Sequence, residues 1–171
     1  MRFIMKYAVI YQSKSGNTRL IAEKIYGALN TEDKTIVDID TEQDMPAADV
    51  YLIGFGIHGY SCSMDISDVF EQITGGKYAV FVTCGYVPTE QYKEKLEKNL
   101  EVWYPDEGEY LGMFLCQGNV ESDRRKIMIS QMPSKEKEMQ QMFRLGNTHP
   151  DEEDLENAVD FAIKIQAEIG D

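Results

Sequence analysis

The sequence is short of cations, cysteines and long apolar runs, and each shortage removes a class of protein. Seventeen lysines and arginines stand against 30 aspartates and glutamates, a formal charge of −13. Nucleic acid and anionic membranes, which bind through positive surface, are therefore excluded as partners, and a basic protein partner is favoured. No apolar stretch approaches the ~18 residues needed to cross a bilayer. The three cysteines, Cys62, Cys84 and Cys116, are scattered. None pairs with another at metal-ligand spacing and none precedes an arginine at the separation of a phosphatase loop, so no metal site is expected and all three read as buried thiols. Their odd number suits a reducing compartment. No Gly-Lys-Ser/Thr closes a Walker loop. Met1 to Lys6 carry charge but lead directly into an apolar strand, so they are not expected to be a removed leader, and a cytoplasmic location is expected. The length, 171 residues, suits one domain spanning 1–171.

The most informative stretch is Gln12-Ser13-Lys14-Ser15-Gly16-Asn17-Thr18. It follows an apolar run of strand formers at 7–11 and opens a pattern of Ile21, Ala22, Ile25, Tyr26 and Leu29 at the three- and four-residue spacing of a helix. A strand thus turns into a helix. In the turn three hydroxyls (Ser13, Ser15, Thr18) and the amide of Asn17 stand beside the free N–H groups of the helix's first turn. Such a turn holds a phosphate dianion with few balancing cations, because the helix dipole and charge-assisted hydrogen bonds carry the charge. The end of the first strand carries Gln12 and Ser13, not the acids of a phosphorylated receiver domain.

Further strands are predicted over 34–39, 50–55, 78–83 and 110–116; that at 50–55 is apolar nearly throughout, as a strand covered on both faces reads. Helical patterns carry Ile66, Val69, Phe70 and Ile73, then Tyr92, Leu96, Leu100 and Trp103, and finally run from Leu155 to Ile169 behind an acid-rich start at 151–154. Between 122 and 147 the periodicity fades. Met128, Met132, Met139 and Met142 are set among charges there, and an irregular flap on the core is expected, with a partner surface as the alternative. Alternating strands and helices imply a parallel sheet with right-handed crossovers. Ligands of such sheets sit beyond the carboxyl ends of the strands, where strand order reverses. The glycine-bearing turns at 56–63 and 84–89 fall at that end, together with the first turn.

The hydroxyl-x-hydroxyl-Gly-Asn-Thr run from Ser13 to Thr18 resembles, residue for residue, the loop with which flavodoxins hold the phosphate of flavin mononucleotide (FMN). The resemblance covers nearly the whole chain: Phe114-Leu115-Cys116-Gln117-Gly118 and the run 149–158 look like a short branch of the flavodoxin family from anaerobic bacteria, some associated with bilirubin reduction. It implies an α/β fold, a flavodoxin-like three-layer sandwich on a five-stranded parallel sheet in the order 2-1-3-4-5, with FMN as cofactor. Ser13, Lys14, Ser15, Gly16, Asn17 and Thr18 would then hold the phosphate. Gly56, Ile57, His58, Gly59 and Tyr60 would form one wall of the isoalloxazine slot, and Thr83, Cys84, Gly85 and Tyr86 the other. The branch places a tryptophan where this chain has Gly56, so Tyr60 is expected to take over the ring-facing role, with Tyr86 on the opposite wall.

Other candidates have quieter readings. His58 reads as a solvated loop imidazole rather than a proton donor, Cys62 as a neutral thiol, His149 as a structural residue at a helix start, and Tyr104 as a surface tyrosine. The function implied is an FMN-binding electron-transfer protein that passes electrons from a reductase to a basic-surfaced acceptor enzyme. The alternative is an FMN-dependent reductase or dehydrogenase of a small conjugated substrate, a quinone or a tetrapyrrole, with 122–147 as its lid. No acid–base pair recommends an enzyme.

Overall fold

The computed structural model describes residues 4–170; Met1 to Phe3, read from sequence as part of the lead into the first strand, lie outside them. Five strands, β1 (Tyr7–Tyr11), β2 (Lys34–Asp38), β3 (Val50–Gly56), β4 (Lys77–Cys84) and β5 (Glu109–Gln117), form one parallel sheet in the order β2-β1-β3-β4-β5. The predicted strand order is the observed one. Between them run α1 (Asn17–Ala28), α2 (Met64–Glu71) and α3 (Glu90–Leu100), and after β5 come α4 (Ser122–Gln131), α5 (Glu136–Gly146) and α6 (Glu152–Ile169).

Burial explains why the central strands are apolar without alternation. Tyr7, Val9 and Tyr11 pack with Ile21, Ile25 and the α6 residues Ala158, Ala162 and Ile165 on one face. Ala8 and Ile10 pack with Ile66, Phe70, Leu96 and Leu100 of α2 and α3 on the other. Each strand residue is thus covered from one side or the other, and a polar side chain at either parity would lose its water. At the edge, β2 keeps only Val37 buried. A part-buried polar link joins the end of α1 to α6 on the first of these faces: the Asn30 N–H donates to Gln166 Oε1 at 2.9 Å.

Local signals set the helix starts. Ser63 Oγ accepts from the Ile66 N–H (3.2 Å) and Thr89 Oγ1 from the Tyr92 N–H (3.1 Å), while Asp151 and Asp154 form a reciprocal capping box for α6 with both bonds at 2.9 Å. His149 joins that cap, its Nδ1 lying 2.6 Å from Asp154 Oδ2.

Two expectations need correction. The segment 122–147 is not an irregular flap but a helical hairpin, α4 and α5 joined by a 3₁₀ turn at Pro133–Lys135. The signal was a short stripe, Met139, Phe143 and Gly146, which α5 buries; the surrounding Lys and Glu residues and the extra methionines hide it from a periodicity count. Tyr104 is not a surface residue either. The chain leaves α3 through a 3₁₀ turn, Glu101–Trp103, which leaves Trp103 exposed and carries Tyr104 back against Phe70, Tyr78 and Tyr110 with ring centroids 5.4, 5.7 and 5.0 Å away.

Gly54 of β3 lies opposite Phe81 of β4, whose ring fills the space a side chain would take: an added Cβ would stand 1.9 Å from Phe81 Cε2. Gly54→Ala should therefore overpack the sheet and cost about 1–3 kcal/mol, read as a lower urea midpoint at unchanged slope. A midpoint equal to that of the parent would refute this account of the sheet's packing.

Candidate functional site

The turn after β1 is organised around its own hydroxyl. Ser13 Oγ accepts hydrogen bonds from the Gly16 N–H (3.1 Å) and the Arg19 N–H (3.2 Å), and Gly16, at φ 93°, bends the chain into α1. Of the six α-helices described, α1 alone has no acidic residue in its first turn. The positive end of its dipole is left uncompensated, which is what an anion seat requires. Buried Gln12 braces the turn: its amide nitrogen donates to Asp40 and Asp65, both at 3.0 Å, and its oxygen accepts from Ser63 Oγ at 2.6 Å. Loops after β1, β2 and β3 are locked together by this one side chain.

A cavity of about 600 Å³ runs from this turn across the carboxyl ends of β1, β3 and β4. Lys14, Ser15, Asn17 and Thr18 line one end; Gly56, Ile57, His58, Gly59 and Tyr60 line one side, and Thr83, Cys84, Gly85 and Tyr86 the other. The residues named from sequence are thus brought together, except Ser13 and Gly16, which do not line the cavity; the Ser13 hydroxyl is engaged by the Gly16 and Arg19 N–H groups. Thr18, 3% exposed, holds its hydroxyl 2.9 Å from that of Thr83, and Asn17 Nδ2 donates to the Asn119 carbonyl at 2.9 Å. That last contact needs Gly118, where an added Cβ would fall 2.5 Å from Asn17 Nδ2.

The loop after β3 closes as a type I′ turn. His58 and Ser61 exchange backbone hydrogen bonds of 3.1 Å around Gly59 (φ 58°) and Tyr60 (φ 62°). A tyrosine in the left-handed region is strained and persists only where its contacts insist on it. Here the Tyr60 ring meets Tyr92 at 5.8 Å between centroids, with Lys95 Nζ 4.3 Å from its own centroid, and Tyr86 also rests on Tyr92, at 5.4 Å. Tyr92 lines the cavity as well, and its buried hydroxyl has no hydrogen-bond partner among the described residues. Burial favours the uncharged forms of Cys84, Tyr86, Tyr92 and His58. It pushes the Cys84 thiol up to about 12 and raises the Tyr86 and Tyr92 phenols, while burial and then the nearby Arg124 and Lys14 charges lower His58.

The remaining wall comes from the hairpin, through Arg124, Met128, Gln131, Met132 and Met139. Arg125 ties down both ends of the hairpin. Its guanidinium donates to the Val120 carbonyl (2.6 Å), Asn119 Oδ1 (2.7 Å) and Asn147 Oδ1 (2.6 Å) and lies 5.2 Å from the Phe143 ring centroid. Gln117, at the end of β5, adds bonds to the carbonyls of Gly85 (3.1 Å) and Met142 (3.2 Å).

The model of the flavodoxin domain family matches residues 8–163. The chain belongs to the flavodoxin family. Among curated flavodoxin-like relatives, BilS of Clostridioides difficile is 31% identical over 167 residues, covering 92% of this chain and 94% of that one, and BilS of Clostridium symbiosum is 24% identical, covering 88% and 90%. Among solved structures, a flavodoxin from the domain Archaea aligns with a TM-score of 0.53 at 16% identity over 98% of this chain and all of that one. Streptococcus pneumoniae flavodoxin aligns at 0.55 and 15% identity, over 95% and 98% of the two chains. At such identities the structures speak to the fold alone.

Against this flavodoxin frame, sequence reasoning missed Gln12, Tyr92 and the hairpin residues. Tyr92 carried a usable signal: it sits in the first turn of the helix that begins where the β4 loop ends, so its ring lies at the ligand-bearing rim rather than deep in the core. The cluster of His149, Asp151 and Asp154 has metal-ligand atoms within 4.8 Å of one another, but its atoms already satisfy one another as the α6 cap. Arg125→Ala should release the hairpin at a cost of about 1.5–3 kcal/mol, the value of a hydrogen bond to a charged group. Amide exchange in α4 and α5 should then quicken about tenfold or more while β1, β3 and β4 stay protected; unchanged exchange would show that the hairpin is held by something else.

Proposed function

We propose that this chain binds one FMN and carries electrons from a reductase to an acceptor protein in the cytoplasm. The observation that supports it most is the meeting, in one cavity, of the acid-free start of α1 with an aromatic slot in which burial favours the protonated forms of Cys84, Tyr86 and Tyr92. A cavity of about 600 Å³ is of the size that takes a cofactor-sized ligand, about 300–1,000 Å³. The FMN complex of a Lactobacillus acidophilus flavoprotein, aligned at a TM-score of 0.50 and 18% identity over 66% of this chain and 93% of that one, has the same fold. The residues fit the cofactor. Backbone N–H groups of the first turn of α1, with Lys14 and Ser15, would take the 5′-phosphate.

The Thr18–Thr83 pair suits the same task. A hydroxyl donates once and accepts twice, so Thr83 can donate to Thr18 while Thr18 donates to the phosphate. Tyr60 and Tyr86 would cover the ring, and the glycine-bearing loops would bring peptide groups beside it. Bound FMN supplies one- and two-electron redox chemistry; the chain's part is to hold it and exclude water. Cys84, Tyr86 and Tyr92 are raised and His58 is lowered, so none of these four is poised to exchange a proton with a substrate near neutral pH. This favours a carrier over an enzyme. The hairpin that walls the cavity with methionines favours a second reading, the FMN-dependent reductase of a small conjugated substrate, with the hairpin as its lid.

Titration of the cofactor-free protein should show FMN binding more tightly than riboflavin, and Thr18→Ala should weaken FMN by about 1.5–3 kcal/mol with little change for riboflavin; equal affinities of the parent protein for the two would sink the phosphate assignment. Tyr60→Ala should lose about 0.5–1.5 kcal/mol beyond the area term and unquench flavin fluorescence, and indifference in both would remove Tyr60 from the ring wall. A carrier's electron transfer to a protein of opposite charge slows with salt as the field is screened over about 10 Å at 0.1 M. Steady, salt-insensitive turnover of a quinone by pyridine nucleotide, with no protein partner, would establish the second reading instead.

A further inference from the structure

Charge is divided unevenly along this chain. The hairpin, residues 122–146, holds six of the 17 basic residues and three of the 30 acidic ones, a formal +3 against −16 for the rest. Lys126, Lys135, Lys137 and Arg144 are exposed and make no ion pair among the described residues. Helix α4 buries none of its side chains. Ile127, next to Lys126, is 48% exposed, and Met132, which follows the helix, is 40% exposed while also lining the cavity with Arg124 and Met128. An apolar centre rimmed by unpaired charge has the anatomy of a protein-docking patch, and a partner seated on it lies one helix away from the slot.

We infer that the outer face of the α4–α5 hairpin is a docking surface for a redox protein that presents an acidic patch, an inference that rests on the carrier reading of the cavity. The acidic body repels such a partner everywhere else, so the field of the whole molecule orients it onto the hairpin. A basic partner is drawn to the remaining surface. Opposite charges therefore sort donor and acceptor onto separate faces of one carrier, and neither has to leave before the other can approach.

The test uses the FMN-loaded protein, reduced with dithionite under anaerobic conditions and mixed with either of two acceptors, an acidic plastocyanin or a basic cytochrome c. One electron from the reduced flavin converts Cu(II) to Cu(I) or haem Fe(III) to Fe(II). The triple variant Lys126→Glu, Lys135→Glu, Lys137→Glu should slow plastocyanin reduction about tenfold or more at roughly 10 mM salt, with the deficit closing near 1 M, where screening acts within about 3 Å. Cytochrome c reduction should not slow. The corresponding Gln triple variant should fall between, which separates a charge effect from damage to the helix. A second readout needs no flavin: zinc-substituted plastocyanin added to the cofactor-free protein should shift amide resonances of 122–137, and the Glu variant should abolish those shifts. Transfer to both acceptors that ignores the reversals, or shifts that map elsewhere, overturns the docking surface and leaves the carrier reading standing. Transfer to neither acceptor removes the carrier reading and the docking surface with it.

Discussion

The site depends on one constraint of parallel pairing: β1 has a neighbour on each side, and the helices that follow it and β3 must cover opposite faces of the sheet. The chain leaves β1 toward α1 and leaves β3 toward α2, so the two loops part and a crevice opens between them. Everything that lines the cavity is placed relative to that parting. Gln12 spans it, binding Asp40, Asp65 and Ser63 at once, and thereby converts three separate loops into one rigid rim.

Electrostatics then distinguish the α1 end of the rim from the aromatic slot. At one end the dipole of α1 meets no carboxylate in its own first turn, and Lys14, the cation beside it, is half engaged by Asp40 at 3.4 Å. In the slot burial dominates, and it acts in opposite senses on acids and bases: it raises thiol and phenol groups and lowers the imidazole. Both senses favour the uncharged forms of these groups. A low-dielectric surround is one means by which a protein sets the properties of a bound redox ring.

The hairpin adds what the sheet cannot provide. Its stability is concentrated in α5, through Met139 and Phe143, and in the bridge that Arg125 makes between Asn119 and Asn147; α4 is carried along by its connections. A wall held by its partner helix and one arginine can be basic and partly apolar on the outside while lining the cavity on the inside, because its own folding asks little of its side chains.

Several features of this protein were determined by the sequence alone. Periodicity marks strands buried on both faces, acids and hydroxyls mark helix starts, and the turn from Ser13 to Thr18 reads as a candidate anion seat, since all of these are local and need only neighbouring residues to be read. Resemblance supplied the strand order, which composition and periodicity do not contain. Only the tertiary structure decided the rest. Ser13 turned out to cap its own helix, Thr18 to pair with Thr83 across 65 positions, and Tyr92 to join Tyr60 and Tyr86. The hairpin proved helical because α5 finds a place to bury three spaced residues, and Tyr104 proved partly buried because a 3₁₀ turn redirects the chain. Each of these outcomes is a competition between partners distant in sequence, for a hydroxyl, a ring face or a patch of core, and such competitions are settled by packing geometry that a linear pattern does not record.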